Sequence, residues 1–190
     1  MKKLILFVAG FMAIATAASA QGIVNSGVRM VCKSGTYWVV DGNFTLKSES
    51  APSQATAANI KINTGANLTL TGASVLSVSG WWQNDGAFTA ATGSTVTLNG
   101  TFKQELGGAS ETTFSNLTLN NTAGATFFKN ITTNGILNFQ NGIIYTGELS
   151  AIIGASGSIT NASATKFING RLVQTFSAVG SKIFPIGMAG

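Results

Sequence analysis

Histidine is absent from the 190-residue chain. That excludes every triad that uses imidazole as its base, and every metal site that relies on histidine ligands. Cys32 is the only cysteine, so neither an internal disulfide framework nor a thiolate zinc site can form; it reads as a small buried apolar residue. Prolines number two, Pro52 and Pro185, and only 9% of residues are charged. No cluster of Lys and Arg tracks a phosphate backbone, so nucleic acid is not an expected partner. No G-x-x-x-x-G-K-[ST] loop occurs. Periodicity of 3.6 residues is nearly missing after residue 20, so helices are not expected.

What the chain has in quantity is glycine, 23 residues, together with many Ser, Thr and Asn and 45% hydrophobic residues. Low charge with this much apolar content argues against disorder and for a packed core. The first twenty residues form a secretory signal peptide. Lys2 and Lys3 precede an apolar run from Leu4 to about Ile14, and Ala18-Ser19-Ala20 gives an A-x-A cleavage site before Gln21. The run is short of the ~20 apolar residues a transmembrane helix needs, and no later stretch is longer, so no integral span is expected in the mature chain. Cleavage removes two lysines and lowers the formal charge from +5 to +3.

Alternation of apolar and polar residues dominates the remainder: Ile60 and Ile62, Leu68 and Leu70, Val96 and Leu98, Leu117 and Leu119, Leu137 and Phe139. Short strands between Gly and Asn turns mean an all-β protein. The last apolar residues of the clearest strands, Leu98, Leu119, Phe139 and Ile159, are separated by 21, 20 and 20 residues. Leu70 precedes Leu98 by 28, which places an insertion around Trp81 to Gly86. Leu106, Phe127 and Glu148-Leu149 suggest a second column, and the polar residues Thr97, Thr118, Asn138 and Ser158, with Thr69 as a further candidate, an outward one. Asn99, Asn120, Asn141 and Asn161 fall near one corner of each period.

A return every 20 residues or so predicts a parallel β-helix, a β-solenoid. A coil of that length cannot bury its apolar face alone, but stacked coils can. The competing architecture is a β-sandwich or barrel of hairpins, for which Asp41-Gly42, Asn99-Gly100, Asn134-Gly135 and Asn169-Gly170 are turn signals. The expected organisation is a signal peptide over 1–20, an N-terminal cap and first strands over 21–59, and coils over 60–190. Within the second segment, residues 35–48 read as two strands about Asp41-Gly42, followed by a polar loop over 48–58. Phe167, Leu172, Phe176, Phe184 and Pro185 leave the far end apolar, and the chain reads as the beginning of a longer protein.

The blocks GWWQNDGAF (80–88), GSTVTLNGTFKQELGG (93–108), TTFSNLTLNNTAG (112–124), ITTNGILNFQNGIIYTG (131–147) and FINGRLVQTFSAVGSKIFPIG (167–187) resemble, in this order, consecutive blocks of large repetitive surface proteins exported by the type IX secretion system of Bacteroidota-type bacteria. The resemblance covers roughly residues 37–187. It implies β-helical stalks or adhesin-like modules, with a separate C-terminal sorting domain that is not visible in this chain. It brings no catalytic motif, no cofactor and no site residues.

The sequence therefore predicts a secreted or cell-surface structural module without catalytic activity. The alternatives are a polysaccharide-binding or polysaccharide-cleaving β-helix and an outer-membrane β-barrel. Cleavage requires paired carboxylates; the mature chain offers Asp41, Glu49, Asp85, Glu105, Glu111 and Glu148, of which Asp85 and Glu105 stand one period apart. Trp81 and Trp82 are the candidates for contact with a carbohydrate or partner, one pointing inward and the other outward. The strip through Thr97 and Thr118 is the candidate surface for ice or crystalline glycan. Surface glycans and other surface proteins are the expected partners, and no cofactor is expected. Asn116-Leu117-Thr118 and Asn120-Asn121-Thr122 match the glycosylation sequon, yet read equally as a strand and a corner. Amino-terminal sequencing of the exported protein is expected to begin at Gln21, with an intact mass equal to the unmodified mature chain; added hexose mass would restore the sequon reading.

Overall fold

The computed structural model describes residues 23–26, 30–31, 37–41, 43–47 and 54–189. The expected signal peptide, Cys32, Glu49, Pro52 and most of the expected polar loop lie outside them. The described chain is all-β, and the strands stack in parallel as a β-solenoid of about 6 turns with ~21 residues per turn.

Each turn lays down three short strands on three faces. The first face begins with β1 (Ile23–Ser26), β4 (Asn43–Lys47), β7 (Asn67–Leu70) and β10 (Ala87–Ala90). The second holds β2 (Met30–Val31), β5 (Gln54–Ala57), β8 (Val75–Val78), β11 (Thr95–Leu98), β14 (Asn116–Asn120), β17 (Ile136–Asn141) and β19 (Ser158–Thr160). The third holds β3 (Tyr37–Val40), β6 (Asn59–Ile62), β9 (Trp82–Asn84), β12 (Gln104–Gly107) and β15 (Ala125–Phe127). Above β10 the first face continues with β13 (Thr112–Phe114) and β16 (Ile131–Thr133). The long strands β18 (Ile144–Ile153) and β20 (Ile168–Gln174) then run from the third face around the corner onto the first.

Alternation within each strand decides what is buried. Inward residues of the three faces meet in one continuous core that includes Leu46, Leu68, Leu76, Leu98, Leu106, Phe114, Leu119 and Phe139, all without solvent exposure. Every strand pairing is parallel, and the one antiparallel contact among the described residues is the isolated bridge between Ser163 and Lys166. Hairpins are therefore absent among the described residues, which excludes the sandwich and barrel architectures, the outer-membrane barrel included. Asn99-Gly100 and Asn134-Gly135 turn corners instead. The two strands about Asp41-Gly42 join different sheets: β3 pairs with β6, whereas β4 pairs with β1 and β7.

Register corrects three of the expected columns. Leu98 lies on Val78 and, one coil further, Ala57, while Leu70 belongs to the first face between Leu46 and Ala90. No insertion separates them; residues 82–84 are an ordinary third-face strand. Ile159 lies on Leu137 rather than Phe139, so Thr160 and not Ser158 continues the Thr97, Thr118, Asn138 column. The cause is a longer corner: residues 154–157 occupy the place of residues 134–135 one coil earlier. Glu148 falls in the irregular corner of β18, between Gly147 and Ser150, and not in the strand column of Leu106 and Phe127. Thr69 stands with Thr45 and Thr89 on the first face.

Corners are tied by side chains that reach to the next coil. The amide or carboxylate oxygens of Asn59, Asp85 and Asn116 each accept the backbone N–H of a residue one coil on, Trp81, Ala109 and Ile136, at 2.8 Å; Asn130 does the same for Ser150 at 3.0 Å. Asn116 also donates to Ser94 O, and Asn141 donates to Asn120 Oδ1 at 2.7 Å. Both sequon asparagines are thus engaged in bonds between coils.

The most connected tie is buried Gln104. Its amide donates to Val78 O at 2.9 Å and Gly80 O at 2.8 Å, and its oxygen accepts from Gly100 N and Asn121 Nδ2. Leucine at this position would leave Gly80 O and Gly100 N without these bonds, at about 1–3 kcal/mol for each buried group left unsatisfied, whereas Val78 O keeps the amide of Asn99 and Asn121 Nδ2 keeps Phe102 O. Gln104→Leu is expected to lower stability by about 2–4 kcal/mol, read as a shifted denaturant midpoint, while Thr97→Val on the second face leaves the midpoint near wild type.

Candidate functional site: the third face

Residues before and after the same corner meet very different fates. Trp82 starts β9, points inward and is 1% exposed. Its ring packs edge-on against Phe88 at 4.8 Å and Phe114 at 5.2 Å, and its Nε1 donates to Thr112 Oγ1 at 3.2 Å. Asn84, two residues on and also inward, donates to the same Thr112 oxygen and to Glu111 O, while its own Oδ1 has no partner. Trp82 is a core residue. Trp81 faces outward and is 51% exposed, its backbone N–H held by Asn59.

Trp81 stands in an outward column of the third face. Leu106 pairs with Trp82, so Glu105 is set beside Trp81 one coil on. Glu105 in turn pairs with Thr126, Thr126 with Tyr145, and Tyr145 with Asn169. The neighbouring column carries Lys61, Gln83 and Gly107. Two glycines admit close neighbours here: a Cβ on Gly107 would come within 2.9 Å of Phe128 Cβ, and one on Gly124 within 3.2 Å of Cε2 of the Tyr145 ring. Lys103 caps the Tyr145 ring, its Nζ 3.9 Å from the centroid. Phe128 is 57% exposed, and Phe102, at the corner where the chain enters this face, is 84% exposed.

The other two faces differ. From Thr56 to Thr160 the outward residues of the second face, among them Ser77, Thr95, Thr97, Thr118 and Asn138, include no charged residue. Among the described residues before 170, every large hydrophobic side chain that is exposed, except Ile136, belongs to the third face or its corners. A separate apolar region, with Phe176, Ile183, Phe184, Ile186 and Met188 exposed, lies at the last coil, where Ile186 bridges to Ile168.

The carboxylates are dispersed. Asp85 is held by Ala109 N at 2.8 Å and Gln83 Nε2 at 2.6 Å. Glu111 accepts from Asn130, and Glu148 faces Arg171 at 3.9 Å with both side chains exposed. Glu105 stands beside Trp81 within its strand, whereas Asp85 lies at the far corner of the same face, its carboxylate tied to Ala109 N beyond the end of β12. The register therefore does not set Asp85 and Glu105 side by side as the paired carboxylates of a glycosidase. Among the described residues no group of three or more His, Cys, Asp or Glu could hold a metal, and no helix is long and apolar enough to cross a membrane.

Comparison of the chain with protein-family models, with curated proteins and with solved structures found no match. The fold class, a β-solenoid, thus rests on the strand register alone.

The two tryptophans give a direct check on this assignment. Trp82→Ala is expected to destabilise the fold by about 3–5 kcal/mol, as for a large core aromatic, whereas Trp81→Ala changes stability by less than about 1 kcal/mol. Comparable losses from both would mean that Trp81 is structural as well.

Proposed function

We propose that this chain is a secreted, non-catalytic structural module, a stalk or adhesin-like segment presented at the cell surface. The observation that carries this reading is the use made of the polar side chains. Asn59, Asp85, Gln104, Asn116, Asn121 and Asn130 all bond between coils or within corners, which serves stiffness, and the one carboxylate among them, Asp85, is held by Ala109 N and Gln83 Nε2.

The geometry suits a spacer. About 6 turns at roughly 4.8 Å per coil give a rod segment about 30 Å long, and each added coil lengthens it without altering its cross-section. The signal-peptide pattern supports export, and the block order resembling type IX cargo supports the outer surface as destination. Polysaccharide binding is the second reading, favoured by the exposed ring of Trp81. Cleavage is disfavoured by the separation of Asp85 from Glu105.

Intact cells of the native host treated with an added protease are expected to lose the protein, while a periplasmic marker survives. Purified protein is expected to release no reducing ends from a panel of polysaccharides. Protection from the protease, or sugar release abolished by Asp85→Asn or Glu105→Gln, would overturn the reading.

A further inference from the structure

The outward residues of the second face are uncharged, whereas the third face concentrates rings and charges, and that asymmetry calls for an explanation that stacking does not supply. Stacking needs only inward residues and corners. Half of the Trp81 side chain is open to solvent, where Trp82 is buried, and among the described residues the exposed Glu105 carboxylate forms no ion pair or hydrogen bond.

Side by side on adjacent coils, Trp81 and Glu105 combine a flat apolar surface with an acceptor-only group able to take two hydroxyl hydrogens at once. That is the chemistry of a sugar ring, whose C–H faces are apolar and whose rim is a circle of hydroxyls. The signs of charge on and beside this face balance. Lys61, Lys103 and Lys129 are offset by Asp85, Glu105 and Glu111, and no run of one sign is present to attract a polyion.

Three coils separate Trp81 from Tyr145 in one column, roughly 14 Å along the stack, with Glu105 and Thr126 between them. Phe128 flanks this line over Gly107, and the Lys103 ammonium above Tyr145 offers donors at its far end.

We propose that the third face binds an uncharged polysaccharide lying along the stack, with Trp81 stacked on a sugar ring and Glu105 accepting a pair of its hydroxyls. The remaining contacts come from Thr126 and from the rings of Phe128 and Tyr145. The site stands apart from the structural reading and holds whether or not the protein reaches the cell surface.

The test is calorimetric titration of the full mature chain with xyloglucan, galactomannan, hydroxyethylcellulose and laminarin, and with polygalacturonate and dextran sulfate as acidic arms. Binding is expected for at least one neutral polymer. Trp81→Ala and Glu105→Gln should weaken it about tenfold or more, and Thr97→Lys on the second face should leave it unchanged. Circular-dichroism melts check folding. Should Trp81→Ala fail to fold, Glu105→Gln at an exposed position and Tyr145→Ala at a half-buried one decide. No binding to any neutral polymer, binding confined to the acidic arms, or binding indifferent to the third-face variants would overturn the proposal.

Discussion

A coil of about 21 residues leaves unpaired backbone N–H and C=O groups on its rims and an apolar interior open above and below. Everything else in the protein follows from the requirement that the next coil close both in register. The ladders run between coils, as Leu98 on Leu119 or Thr45 on Thr69. Each inward side chain likewise rests on its counterpart, so one change of register would expose a whole rung to the wrong partners. Strand residues are consequently restricted in character and free in identity. Ala57, Val78, Leu98, Leu119 and Phe139 occupy one column, and only their apolarity is common to them.

Corners have the opposite logic. There the ladder is interrupted, and amide hydrogens of the turn are left without an acceptor from a strand. Asn and Asp answer this with a short side chain whose oxygen reaches the following coil, and they do so at all three corners: Asn59 to Trp81, Asn116 to Ile136, and both Asp85 to Ala109 and Asn130 to Ser150. The coil above must then make room. Gly135 precedes Ile136 because a Cβ there would lie 2.5 Å from Asn116 Oδ1. Asparagine in one coil and glycine about 20 residues later are thus two halves of one device, which accounts for much of the unusual composition.

This pairing also explains how far the sequence could be read. The period and the parallel stack were visible because second-face strands return at nearly constant spacing. Three faces per coil were not, since apolar alternation looks the same on each. Leu68 and Leu70 on the first face therefore read as members of the Leu98 column, and β9 read as an insertion. The two-residue slip at Ile159 arose from corner length, to which strand alternation is blind. Of the candidate site, the opposite fates of Trp81 and Trp82 followed from alternation alone. The neighbours of Trp81 did not: Glu105, Thr126 and Tyr145 come from strands 24, 45 and 64 residues downstream, and only the register of the third face sets them in line.

Function in such a fold is limited to what the stack leaves over. Inward positions are committed to packing and corner amides to ties, so only outward positions remain free to vary, and a strand with nothing to recognise needs merely to be soluble. The second face meets that minimum with Thr, Ser and Asn. Large rings on a solvated strand carry a hydrophobic cost that short polar residues avoid, and setting the Tyr145 ring against Gly124 reduces that cost without removing it. Trp81 has no such glycine beneath it in the column, since Asn59 occupies the place one coil below, and half of its surface stays in water. Trp81 stands on the face that also carries Glu105 and Lys103, and the proposed recognition surface rests on that contrast with the second face.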